Sequence, residues 1–138
     1  MKITYREFTS DLAASSLDGF CEGWAKPLSG EQLHTVFSSS YVVFLALDSE
    51  GSVLGFVQAI SDGVLSAYIP LLEVRPNVQR QGIGRELMRL ALDRLSALYM
   101  VDLCCDMELT DYYTKIGMVP VRGMCKRNFD CAMFDQLK

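Results

Sequence analysis

The stretch from Val64 to Leu98 constrains the fold more than any other part of the chain. It opens with "VLSAYIPLLEV", an apolar run that reads as a strand. It closes with the strongest helix pattern in the sequence. From Gly82 on, Ile83, Leu87, Leu90, Ala91, Leu95 and Leu98 recur at helical spacing, while Arg85, Glu86, Arg89, Asp93 and Arg94 take the other face. Between the two lies "RPNVQRQGIG", with Gly82 and Gly84 one residue apart. Pro70 sits in the middle of the strand. Proline has no N–H to give a ladder, so it belongs at an edge or a bulge. If this strand is central, a neighbour must be missing at that point.

The remaining elements follow from periodicity. "KITYREF" (2–8) alternates like a half-buried strand. "TSDLAASSLDGFCEGW" places Leu17, Phe20, Cys21 and Trp24 at i, i+3, i+4 and i+7, which predicts an amphipathic helix. "SGEQ" (29–32) is a capping box before a second, short helix carrying Leu33, Val36 and Phe37. "YVVFLALD" (41–48) and "VLGFVQAIS" (53–61) are strands, and Asp62-Gly63 is a hairpin signal. "YMVDLCC" (99–105) reads as a buried strand. Asp106 can cap a helix that Gly117 stops, and "MVPV" and "GMCKRNF" read as two last short strands. The expected order is βααβββαβαββ in one domain, residues 1–138: a mixed α/β sheet with helices on both faces.

Composition narrows the classes of function. Half the residues are hydrophobic, and 138 residues suffice for a real core. No apolar run approaches the ~20 residues that span a bilayer, and the N-terminus has no signal-peptide core, so the expectation is a cytoplasmic protein without a membrane partner. A net charge of −4 disfavours nucleic acid and mildly favours a cationic small substrate. The five cysteines, Cys21, Cys104, Cys105, Cys125 and Cys131, fit neither a zinc site nor a disulfide framework. They are expected to be reduced packing residues. The single histidine, His34, offers no cysteine a base and reads as a solvated helix residue.

The glycine turn has a chemical reading. A helix N-terminus carries unpaired N–H groups and a positive dipole end, and glycines let an anion come close. It is not a P-loop, because Gly84 is followed by Arg85 and Glu86 where Lys-Ser/Thr is required. It is not a dinucleotide fingerprint, because Leu87 stands where the third glycine would be.

Gln79-x-x-Gly82-x-Gly84, preceded by Leu72, Val74 and Pro76, resembles the acyl-CoA diphosphate motif of the GNAT N-acetyltransferase superfamily. About thirty residues on, "DYYTKIGM" (111–118) resembles the family's "FYEKLGF" helix end. The resemblance extends along nearly the whole chain and is closest to short bacterial proteins of that family. More distantly, the chain is similar to arylalkylamine acetyltransferases of the serotonin type. The fold implied is a mixed, mostly antiparallel sheet that splays between the Pro70 strand and strand 99–105. The ligand implied is acetyl-CoA, as acetyl donor, with no metal. Backbone amides of Arg80, Gln81, Gly82, Ile83, Gly84 and Arg85 would bind its diphosphate. Leu72, Glu73 and Val74 would pair with its pantetheine arm. Asp106 stands where the family often has an Asn near the pantetheine.

The activity implied is direct acetyl transfer to a primary amine of a small molecule. Tyr113 matches the family tyrosine that donates a proton to the leaving CoA thiolate; packing is its alternative role, and Tyr112 reads as core. Tyr68 holds the place of the family's basic residue and is a poor base itself. Glu73 is the nearest carboxylate, with a solvated or paired role as the alternative. Asp62 could reach the substrate end or simply make the turn. The acceptor site is expected near Phe20, Trp24, Tyr41 and Tyr68, which would suit an aromatic amine. A homodimer is compatible with this reading. The rival reading is an acyl-CoA-binding sensor or scaffold without turnover.

Overall fold

The computed structural model describes residues 1–137. Five strands form one open sheet in the order β1-β2-β3-β4-β5: β1 Thr4–Glu7, β2 Val42–Leu47, β3 Val53–Ser61, β4 Ser66–Val74 and β5 Met100–Asp102. The first three pairings are antiparallel and the last is parallel. Helix α1 (Gly30–Ser38) covers one face, and α2 (Ile83–Arg94) and the short α3 (Thr110–Thr114) belong to the other.

Each face has its own core. On the α2 side, Ile83, Leu87, Met88, Ala91 and Leu95 pack onto Val57, Ala67 and Ile69. On the α1 side, Leu33 and Phe37 pack with Phe56, Leu45 and a wrapped segment carrying Leu17, Phe20, Cys21 and Leu28. The capping box at α1 is present in full: Ser29 Oγ accepts from the Gln32 amide, and Gln32 Oε1 accepts from the Ser29 amide. Gly30 is required there, because a Cβ would collide with the Ala14 carbonyl and the Asp18 carboxylate.

Pro70 meets both conditions set by its missing N–H. Gln58 pairs with Leu71 and Ile60 with Tyr68, so β4 sets Ile69 and Pro70 against the single residue Ala59. This is a bulge. It also inverts the alternation: Ala67 and Ile69 face α2 before it, and Leu72 and Val74 do so after it. On the outer side, β5 pairs only with Ser66, Ala67 and Tyr68. The ladder ends before Pro70, and the outer edge of β4 is unpaired from there on.

Four expectations fail. The helix expected over residues 9–24 is a single 3-10 turn, Ala14–Leu17. Gly19 and Cys21 adopt left-handed backbone (φ 87° and 63°), which ends any helix. The apolar residues reach the core by wrapping. Second, residues 118–128 form no strand, although "MVPV" and the start of "GMCKRNF" have the composition of strands. Pro120 removes a donor, and Val121 and Met124 are exposed with no sheet edge beside them. Third, the strand expected over 99–105 is limited to three residues and is not buried. Fourth, Cys104, Cys105, Cys125 and Cys131 are exposed, because the strands meant to cover them do not form; Cys21 alone is core.

Candidate active site

The split between β4 and β5 leads directly into the glycine turn. The Arg75 amide donates to the Leu54 carbonyl at 2.8 Å. Backbone groups alternate sides along a strand. With Phe56 opposite Glu73 and Gln58 opposite Leu71, the Leu71, Glu73 and Arg75 backbones are spent on β3. Leu72 and Val74 therefore turn their N–H groups to the open edge. Gln79 closes the end of this edge, its side-chain amide donating to the Val74 carbonyl at 2.9 Å.

The turn itself departs from the usual backbone regions. Arg80 is left-handed at φ 64°, as is Gly82 at φ 83°. Such alternating conformations make an anion-binding nest. Gly82 is the residue before α2, with no side-chain cap on the helix. A Cβ on Gly82 would meet nothing of the protein within 4 Å, so the space above it is open to an incoming group. Arg80, Gln81 and Arg85 are exposed around it, and Ile83 is buried as the anchor. At Gly84 a Cβ would stand 3.4 Å from the Tyr112 hydroxyl. That hydroxyl oxygen is buried with no hydrogen-bond partner. An open nest, an uncapped helix start and a free strand edge beside them fit the diphosphate and pantetheine of an acyl-CoA.

Tyr113 lies in α3, packed against the α2-side core and edge-on to Tyr112 at 5.0 Å. Burial, with Tyr112 and Cys105 beside it, pushes its phenol up to about 12. It therefore keeps its proton at any physiological pH. Asp106 is exposed; its carbonyl accepts from the Leu109 amide at 2.9 Å.

The candidate bases are otherwise engaged. Tyr68 occupies the last rung before the split, opposite Asp102. A hydrogen bond with Cys104, then burial, raises its phenol, so it does not ionise as a base near neutrality. Both Glu73 carboxylate oxygens accept from the Cys21 amide, at 2.9 and 3.0 Å. Burial, and after it the same carboxylate, push the Cys21 thiol up to about 12. Asp62 Oδ1 accepts from Val64, Leu65 and Ser66 amides, which hold its carboxyl below the usual range. It is a turn residue. His34 Nε2 lies 3.1 Å from the Ser10 carbonyl, on α1.

Of the aromatic residues expected around an acceptor, Phe20 is core, 2% exposed and edge-on to Phe56. Trp24 and Tyr41 remain open, 44% and 48% exposed. Sequence reasoning missed Arg75. Its guanidinium lies over the Phe20 ring at 4.0 Å and donates to the Val53 and Ser16 carbonyls at 2.7 and 3.3 Å. Glu73 and Arg75 thus hold the wrapped segment 16–21 against β4. No local signal marks this, since the partners are 52 and 59 residues apart.

Among the described residues, no cluster of metal-binding side chains occurs, and no helix is long and apolar enough to cross a membrane. The Acetyltransferase (GNAT) family model matches residues 7–118. A crystal structure of a candidate acetyltransferase from Deinococcus radiodurans R1 is 40% identical, covers 93% of this chain and 90% of its own, and superposes with a TM-score of 0.89. A GNAT family acetyltransferase from Streptococcus pneumoniae TIGR4 is 28% identical over 94% of this chain and 100% of its own, with a TM-score of 0.76. An uncharacterized N-acetyltransferase of Porphyra purpurea is 25% identical over 90% of this chain and 77% of its own. The chain belongs to the GNAT acetyltransferase family.

Proposed function

We propose that the protein transfers the acetyl group of acetyl-CoA to a primary amine of a small molecule, directly and without an acyl-enzyme. The observation that carries this is the unpaired edge of β4, with the Leu72 and Val74 amides outward, running into the nest at Arg80–Gly82. Leu72 and Val74 would pair with the pantetheine arm as a sixth strand does. The amides from Arg80 to Arg85 would hold the diphosphate. Bound there, acetyl-CoA supplies an activated thioester carbonyl.

The chain then has three tasks: to hold the amine against that carbonyl, to take up a proton from the amine, and to give one to the departing thiolate. Placement alone can account for several kcal/mol of the barrier, roughly 7–11 in the best cases. Tyr113 donates the proton at its hydroxyl. Its phenol stays protonated because its surroundings are dry, and the same dryness makes a thiolate beside it a stronger proton acceptor. The amine proton leaves through water: Tyr68 is held neutral, and Glu73 is occupied by Cys21. The exposed rings of Trp24 and Tyr41 suit an acceptor with an aromatic or apolar body.

The test is release of free CoA from acetyl-CoA across a panel of primary amines: arylalkylamines, polyamines, amino sugars and amino acid amides. Amine-dependent CoA release from at least one class is expected. Saturable acetyl-CoA binding with no turnover on any of them would favour the non-catalytic, acyl-CoA-sensing alternative.

A further inference from the structure

One stretch of the chain carries a single sign of charge. From Lys115 to Phe129 there are four cations, Lys115, Arg122, Lys126 and Arg127, and no carboxylate, in a chain whose net charge is −4. All four are exposed, and none enters an ion pair among the described residues. The second half of this stretch passes the point where β4 and β5 part. Tyr68 and Asp102 form the last rung there, and Cys104, two residues beyond Asp102, hydrogen-bonds Tyr68. Gly123 packs on Cys104: a Cβ on the glycine would stand 3.3 Å from the sulfur. Six residues on, the Phe129 carbonyl accepts from Lys26 Nζ. Residues 123–129 therefore lead from the split to the segment that carries Trp24. Arg127 lies on that path. Its charge reaches the Tyr68 phenol, where it opposes the rise caused first by Cys104 and then by burial. Lys26 is committed, between the Phe129 carbonyl and the Phe134 ring. Arg127 holds no carboxylate among the described residues, Asp102 included.

We infer that the acceptor amine carries an anionic group, a carboxylate or a phosphate, and that Arg127 binds that group beside Tyr68. The inference rests on the acetyl-transfer reading and names the substrate class that reading leaves open. Direction supports it. With the diphosphate at Arg80–Gly82 and the pantetheine along Val74 and Leu72, the thioester points down the open edge toward Pro70 and Tyr68. An amine attacking that carbonyl has the rest of its atoms on the Tyr68 side, which is the side where Arg127 stands. A guanidinium matches a carboxylate or a phosphate with two parallel N–H donors. The cations around it draw anions to this end of the molecule. The same positive field favours loss of the ammonium proton, which the attack requires.

The experiment adds anionic counterparts to the amine panel: phenylalanine beside 2-phenylethylamine, and glucosamine 6-phosphate beside glucosamine. CoA release is measured with the wild type, Arg127→Gln and Arg127→Lys. In at least one pair the anionic member should have a kcat/KM roughly ten- to a hundredfold higher, the worth of hydrogen bonds to a charged group. The pair that shows it tells carboxylate from phosphate. Arg127→Gln should lose most of that ratio through the KM of the anionic amine, and Arg127→Lys should restore part of it. Both variants should keep the thermal shift with acetyl-CoA, which shows that they are folded. The ratio should shrink with salt, as exposed charge pairs do. Neutral members that match or exceed their anionic counterparts in both pairs would overturn the inference and leave acetyl transfer standing. So would a ratio that Arg127→Gln retains. No CoA release with any amine of the panel, neutral or anionic, would overturn the acetyl-transfer reading itself, and this inference with it.

Discussion

The two ends of β4's neighbourhood are built differently. On the nest side, β4, the eight-residue connection 75–82 and α2 follow one another in sequence, and the hydrogen bond that closes the open edge is local. Gln79 reaches back five residues to Val74, and Gly82 frees the backbone for α2. On the proposed acceptor side, residues 13–28 have one 3-10 turn and are held by partners outside the segment: Cys21 by Glu73, Ser16 by Arg75, Asp18 by Gly30. The C-terminal segment joins them, with Lys26 donating to the Phe129 carbonyl and Gln32 to that of Met133. The contrast teaches a division of labour. The proposed acyl-CoA site is built on locally specified backbone, and the proposed acceptor site on loops whose shape depends on tertiary contacts.

The sharpest way to separate the two sides is at Tyr113, where they meet. Tyr113→Phe removes a proton donor and almost no volume. Turnover should fall by about 10²–10⁴, the worth of a positioned general acid, while acetyl-CoA affinity holds. Because the phenol stays protonated up to about 12, wild-type turnover should show no alkaline limb near pH 10. Near wild-type turnover in Tyr113→Phe, or a limb centred at 10, would make Tyr113 a packing residue.

Gly82→Val strikes the nest side alone. A side chain at φ 83° costs about 1–2 kcal/mol of fold and fills the open space above the turn. Acetyl-CoA at a hundredfold excess over its dissociation constant should stabilise the wild type by ~2.7 kcal/mol. Most of that thermal shift should vanish in the variant. A folded Gly82→Val protein with the full shift would move the diphosphate site elsewhere.

Glu73→Ala strikes the other side alone. It leaves the buried Cys21 amide without an acceptor, at a cost of about 1–3 kcal/mol read from the urea midpoint. Acetyl-CoA affinity should not change, because the Glu73 backbone faces β3. A variant with loosened acceptor loops and weakened acetyl-CoA binding would erase the distinction between the sides.

What was legible in the sequence divides along the same line. Pro70 announced a bulge and a missing neighbour because its chemistry is local, and the Ser29–Gln32 capping box joins residues only three apart. Strands β1 to β4 and helices α1 and α2 carry their own periodicity. The segment 9–24 also has a helical period, but Gly19, Cys21 and their anchors on β4 override it. The residues from 118 to 128 have strand-like composition, yet a strand needs an edge, and β5 ends at Asp102. The roles of Glu73 and Arg75 were hidden for the same reason: each is decided by a partner more than fifty residues away.

The central claim is that β4 ends in an edge left open for a ligand, and amide hydrogen exchange reads it residue by residue. In the free protein the Glu73 and Arg75 amides should be protected by β3, while those of Leu72 and Val74 exchange fast. Saturating acetyl-CoA should slow Leu72 and Val74 strongly and leave Glu73 and Arg75 nearly as they were. Leu72 and Val74 amides that are already protected in the free chain, or that stay fast when acetyl-CoA saturates it, would contradict the account.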